Sequence, residues 1–190
     1  SIKAALVDAQ TGQTVATGHW PETEAPIISH QPGWAEQQPE SWWLSLIYAT
    51  QQLASQADLS QVSAIGISYQ MHGLVCVDDF NKPLRPSIIW CDGRAIPYGQ
   101  QAFDSIGRDR CLTRLLNSPG NFTAAKLAWV KENEPDLYKR INKIMLPGDY
   151  IAMRLSGGET GTTASGLSEG ILWDFEAEGL SWDVMKHYGF

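Results

Sequence analysis

Gln70-Met71-His72-Gly73 carries side chains suited to a polyhydroxylated ligand. His72 can donate or accept a hydrogen bond, and Gln70 offers an acceptor beside its donors. The tetrapeptide follows one β-forming stretch and precedes another, and polar groups past the carboxyl end of a strand often face a ligand crevice. The structural alternative is a tight hairpin with Gly73 as turn residue and His72 bonded to backbone. Residue chemistry alone favours that alternative, because isolated short motifs mislead. Trp90-Cys91-Asp92-Gly93-Arg94 forms a second set. An indole beside a carboxylate and a guanidinium can stack on a sugar ring and hydrogen-bond its hydroxyls. Equally, Asp92 can cap the following turn with Arg94 paired to it. Chemistry does not separate these two readings.

Other segments weigh toward structure. In Pro119-Gly120-Asn121-Phe122-Thr123, Thr123 reads as a helix N-cap, and Asn121 stays open as a ligand contact. Thr162, Thr163 and Ser165 lie in a Gly/Thr/Ser-rich stretch that reads as a solvated loop. Asp149 stands at a helix start. Trp34 reads as a core anchor. His19, His30 and His187 have no partner at metal spacing. The chain contains neither the G-x-S-x-G of a hydrolase elbow nor a Walker A sequence, so any nucleotide chemistry needs another phosphate grip.

The elements that position these residues follow from periodicity. Ile2–Asp8 and Thr14–Trp20 read as a hairpin around a Thr-Gly turn. An opening inside a strand predicts further sequence before Ser1. Residues 21–39 read as an irregular loop, and Pro39 starts a helix reaching about Gln56. Val62–Tyr69, Leu74–Val77 and Ser87–Trp90 read as short strands. Helices are expected over 98–106, 109–116, 123–133, 135–141, 148–155 and 180–188, with a strand at 143–146 and a loop at 157–166. Hairpin, helix, strands, then helices predict an α/β domain.

Composition narrows the function. Hydrophobic residues are 43% and charged residues 18%, which suits a packed core. The net charge of −7 argues against a nucleic-acid surface. Cys76, Cys91 and Cys111 are odd in number and widely spaced, so they read as buried reduced thiols rather than as disulfides or a zinc site. No apolar run reaches the ~18 residues of a membrane helix, and the expected location is cytoplasmic, with no membrane partner. Eight tryptophans are explained by core filling as well as by sugar stacking.

Taken together, the motifs resemble the FGGY carbohydrate kinase family, most of all its xylulose kinases. Gly33-Trp34-Ala35-Glu36-Gln37 with Pro39-Glu40 and Trp42-Trp43 resembles the family's early GWAEQ stretch. Ile65-Gly66-Ile67-Ser68 with Gln70-Met71-His72-Gly73 resembles its strand and QMHG turn. Pro86 through Trp90 with Asp92-Gly93-Arg94, Asn121 through Ala124 with Lys126-Leu127 and Trp129-Val130, and Leu146-Pro147 with Asp149-Tyr150 continue the likeness in order.

The resemblance implies an actin-like, ribonuclease-H-like α/β lobe, a mixed sheet flanked by helices. It implies ATP-dependent, magnesium-assisted phosphorylation of a sugar hydroxyl, with D-xylulose going to D-xylulose 5-phosphate. Met71 and His72 would bind the sugar; Trp90, Asp92 and Arg94 would lie at or near it; Asn121 would be counted with them. Ser1 and Lys3 would be the tail of the phosphate-binding hairpin. The family's first strand and the second lobe with its base aspartate are not matched in these 190 residues. No catalytic residue is therefore expected in this chain, and alone it is not expected to turn over ATP. A sugar and ATP are the expected partners, and a homodimer is the candidate assembly. Gly73, where gluconate kinases more often carry Ser, favours xylulose. The alternatives are a kinase of another sugar or sugar acid (gluconate, ribulose), a non-catalytic sugar-binding module, or an actin-like interaction protein.

Overall fold

The computed structural model of the chain describes residues 1–190. Its first element is the expected hairpin of β1 (Ile2–Val7) and β2 (Thr14–Trp20), paired antiparallel from Ile2↔Trp20 to Val7↔Thr14. After β3 (Glu36–Gln37), α1 (Pro39–Ala54) packs across this hairpin. Pro39 supplies its first turn, where a missing N–H costs nothing. Then come β4 (Val75–Val77) and β5 (Ser87–Ile88), followed by α2 (Ile96–Ile106), α3 (Arg108–Arg114), α4 (Thr123–Asn133) and α5 (Pro135–Tyr138). β6 (Lys143–Met145), α6 (Pro147–Leu155), α7 (Ala164–Glu169), β7 (Trp173–Asp174), β8 (Gly179–Leu180) and α8 (Trp182–Tyr188) complete an α/β lobe.

The strands pair antiparallel. β3 pairs with β5 and β4 with β6, and a Leu74↔Ile88 bridge joins the two ladders. β4 sits at the centre of the core. Val75 and Val77 face Trp42, Ile89, Met145, Tyr150 and Met153. Leu74 and Cys76 face Ile88, Ala95, Ala125, Trp129 and Val130. Alternate side chains of a strand point to opposite faces, so a strand apolar at every position is covered on both sides.

Four expectations are corrected. Val62–Tyr69 forms no strand and pairs with nothing, and it is not buried: Ile65 is 67% exposed. Alternating apolar residues report a capacity to pair, and a ladder also needs a neighbour alongside. The loop after Gly157 ends at Thr163, whose Oγ1 accepts the Gly166 N–H and caps α7. A small hairpin, β7–β8, precedes the last helix. Of the thiols, Cys76 and Cys111 are buried and free, whereas Cys91 is exposed. No helix is long and apolar enough to cross a membrane.

Candidate functional site

The loops after the Val62–Tyr69 segment and after β5 lie side by side. Leu74 N–H donates to Ile88 O at 2.9 Å, fixing the ends of both. Gln70 reaches across: its Nε2 donates to Gln37 Oε1 at 3.3 Å, and its Oε1 lies 3.5 Å from Trp90 N. From the start of α4, Thr123 Oγ1 donates to Gly73 O at 3.4 Å, and from the turn before it Asn121 Nδ2 donates to Asp92 O. The Met71-His72 turn thus lies next to the loop that carries Trp90, and Asn121 is bonded to that same loop, its Oδ1 buried. Met71 (59%) and Trp90 (55%) are exposed, and His72 is half-buried.

The turn differs from the hairpin alternative. His72, not Gly73, takes the left-handed conformation, at φ 40°. Gly73 is required for close approach: a Cβ there would lie 2.7 Å from Pro147 Cγ. Beside it, a Cβ on Gly148 would lie 2.1 Å from the Tyr69 ring, so the start of α6 and the strand-like segment also touch through a glycine.

Asp92 and Arg94 turn inward. Asp92 is fully buried and accepts the Ala35 N–H at 2.5 Å and the Arg94 N–H at 2.9 Å. The Arg94 Nε and Nη2 donate to the same carboxylate at 2.7–3.0 Å. Its Nη1 lies 2.7 Å from Glu36 Oε1, an ion pair whose N–H does not aim along the contact. The guanidinium lies 3.8 Å from the Trp34 ring centroid and 4.8 Å from that of Trp129. Arg85 adds ion pairs to Glu36 and to Glu134, the latter at 3.4 Å. This network stiffens the loop that displays Trp90, and Trp34 belongs to it as a core anchor.

Thr123 is also placed differently from its expected role. Phe122 is the N-cap of α4, and the Thr123 hydroxyl serves Gly73 instead. Asp149 does stand in the first turn of α6, accepting the Leu146 N–H at 3.3 Å. Thr162 lines a cavity of about 230 Å³ shared with Thr123, Asp149 and Gly166. Ser1 and Lys3 are exposed on or beside β1, in the hairpin that packs on α1.

Two residues that sequence reading passed over hold His72. Lys126, fully buried on α4, donates from Nζ to His72 O at 2.9 Å and lies 3.4 Å from His72 Nδ1. Glu169 on α7 accepts the His72 N–H at 2.6 Å and the Tyr69 hydroxyl at 3.1 Å. A lysine inside the apolar run Ala124–Val130 was the available signal, since a buried charge needs a built partner. Glu169 had none. Burial holds the Lys126 pKa down to about 8. Burial first and the Lys126 charge second hold His72 down to about 4. His72 is therefore neutral at pH 7, able both to donate to and accept from hydroxyls.

A pH effect follows with a definite sign. Unfolded His72 titrates near 6.5 and folded His72 near 4, so between these values the unfolded chain binds the extra proton. Thermal melts are expected to show stability falling as pH drops from 6.5 towards 4, with a shallower fall in His72→Asn. Equal slopes in both proteins would remove His72 as the cause.

Comparison with known proteins adds identity to the geometry. Residues 1–189 match the N-terminal domain of the FGGY family of carbohydrate kinases. A xylulose kinase of Escherichia coli (strain K12) is 38% identical over 175 residues, covering 90% of this chain and 34% of the relative. The chain thus spans about a third of the length of the curated relatives it matches. A crystal structure of xylulose kinase from Rhodospirillum rubrum superposes with a TM-score of 0.86 at 27% identity, over 99% of this chain and 38% of that one. A gluconate kinase from Lactobacillus acidophilus gives a TM-score of 0.84 at 21% identity, over 99% and 37%, a likeness of fold alone.

Proposed function

The chain belongs to the FGGY family of carbohydrate kinases, and from that premise we propose that it forms the sugar-holding wall of a D-xylulose kinase. The carrying observation is the junction of the two loops: Gln70 reaches Trp90 N, so exposed Met71 and half-buried, neutral His72 belong to a turn beside exposed Trp90. An indole and a thioether give apolar cover to the C–H faces of a sugar, and the imidazole meets its hydroxyls. Asn121 belongs to the same wall. Asp92 and Arg94 act from behind it, holding Trp90 in place. Gly73 is the residue on which the xylulose reading rests over gluconate, and in this fold a Cβ there would lie 2.7 Å from Pro147 Cγ.

ATP is the proposed phosphoryl donor, and magnesium its proposed companion ion. Catalysis of such a transfer needs a base to take the proton of the attacking hydroxyl and positive groups to stabilise phosphoryl charge. The carboxylates nearest the wall, Asp92 and Glu169, are engaged with Arg94 and with His72 and Tyr69. No group of three or more His, Cys, Asp or Glu side chains is placed to hold a metal ion. The role derived for these residues is to bind and orient the sugar.

The test is phosphorylation of D-xylulose, D-ribulose, gluconate and glycerol by the full-length protein, followed by ADP release. The highest kcat/KM is expected for D-xylulose, with the 5-phosphate as product. Preference for gluconate would overturn the substrate. Binding of xylulose in calorimetry without any turnover would make the protein a sugar-binding module instead.

A further inference from the structure

Both backbone groups of His72 are held by charged side chains from helices that approach from different parts of the chain. Its N–H goes to the Glu169 carboxylate at 2.6 Å and its C=O to the Lys126 ammonium at 2.9 Å. A residue with a side chain enters the left-handed region only when its surroundings over-determine it. In that turn the His72 carbonyl points into the core, where an unmet acceptor is costly. Lys126 meets it from a helix position otherwise suited to an apolar residue.

Lys126 has a second consequence. Its Nζ stands 3.4 Å from His72 Nδ1. An ammonium only donates, so a neutral ring that bonds to it accepts at Nδ1 and carries its proton on Nε2, in competition with the ring's bond to its own carbonyl, which Lys126 also occupies. Edge contact with Phe122, at 4.9 Å between centroids, holds the ring from another side. We propose that Lys126 is a positioning residue of the sugar wall: it locks the left-handed turn at His72 and selects the Nε2–H tautomer, so that His72 meets the sugar as a hydrogen-bond donor. Glu169 is its counterpart on the other side of the same residue. The groups bearing on the His72 ring are Lys126 and its own backbone carbonyl, with Glu169 on the backbone N–H, and those bearing on Lys126 are Asp92, Cys91 and Arg94.

The inference rests on the reading of His72 as a sugar contact, but the tautomer can be read without sugar. The experiment uses full-length protein with ¹⁵N-labelled histidine at pH 7, His72 being assigned by the loss of its signal in His72→Asn. Wild type is expected to show a protonated Nε2 and an unprotonated Nδ1. Lys126→Met is expected to mix the tautomers, move the imidazole titration upward, and raise the sugar KM at least about tenfold with the ATP KM unchanged. A protonated Nδ1 in wild type, or an unmoved tautomer or sugar KM in Lys126→Met, overturns the proposal. If wild type phosphorylates no sugar, the substrate reading falls while the tautomer still decides the clamp. If Lys126→Met does not fold, the wild-type tautomer alone decides: a protonated Nε2 supports the clamp, and a protonated Nδ1 overturns it.

Discussion

Replacing Arg94 by methionine is expected to lower the unfolding free energy by about 3–5 kcal/mol, because it strands the buried Asp92 carboxylate and leaves Glu36 with Arg85 alone. The Arg94 side chain is 1% exposed, and its partners Asp92 and Glu36 are 0% and 5% exposed. Water cannot replace the lost cation there. Arg85 still reaches Glu36, so the larger part of the loss falls on Asp92. Asp92 would keep only backbone donors, the N–H groups of residues 35 and 94. The stack on Trp34 and Trp129 would go as well, and methionine returns apolar contact without charge. Urea unfolding measures the effect, with the m-value as a check that the two end states are unchanged. Pairing Arg94→Met with Asp92→Asn is expected to recover part of the loss, since both members of the bidentate pair are then neutral. A cost below about 1 kcal/mol for the single variant, as for an exposed pair, would show that the network does not hold the loop.

His72→Asn carries the largest expected loss of function. Asparagine enters the left-handed region more easily than other residues, so the turn and its bonds to Lys126 and Glu169 can persist. The substitution therefore removes the imidazole rather than the loop. In the full-length protein, kcat/KM for the sugar is expected to fall about a hundredfold, roughly 2–3 kcal/mol of transition-state binding. The KM for ATP is expected to stay as it is, because His72 lies on the sugar wall. A loss shared equally between sugar and ATP parameters would point to collapse of the lobe. Unchanged sugar kinetics would take His72 out of the site and sink the proposed function with it.

Local pattern made much of the scaffold legible. The hairpin at Ile2–Trp20 follows from two alternating stretches around a Thr-Gly turn. The helix at Thr123–Asn133 was read to its ends, although its first eight residues, Thr123–Val130, are all buried. Caps were less legible: Thr123 has the right chemistry for one, but its hydroxyl was taken by a carbonyl fifty residues away in sequence. Pairing was less legible still. Val62–Tyr69 has the residue types of a strand, and only the presence of a neighbouring chain decides whether they form one.

The candidate site divides in the same way. Sequence alone determined that the chain carries the family's motifs, that Met71-His72 and Trp90 through Arg94 sit in turns beside strands, and that the domain is α/β. These are matters of residue type and spacing, which the linear chain contains in full. Tertiary structure alone decided which groups face a ligand and which face inward. Asp92 and Arg94 read equally as sugar contacts or as a capped, paired turn, and the structure makes them the pair, with Trp34, Trp129, Ala35 and Glu36 closed over it. Lys126 and Glu169, 54 and 97 residues from His72, come to grip its backbone only when α4 and α7 are packed. Burial sets the cost of a charge and proximity sets its partner, and both depend on distances in space that sequence separation does not give.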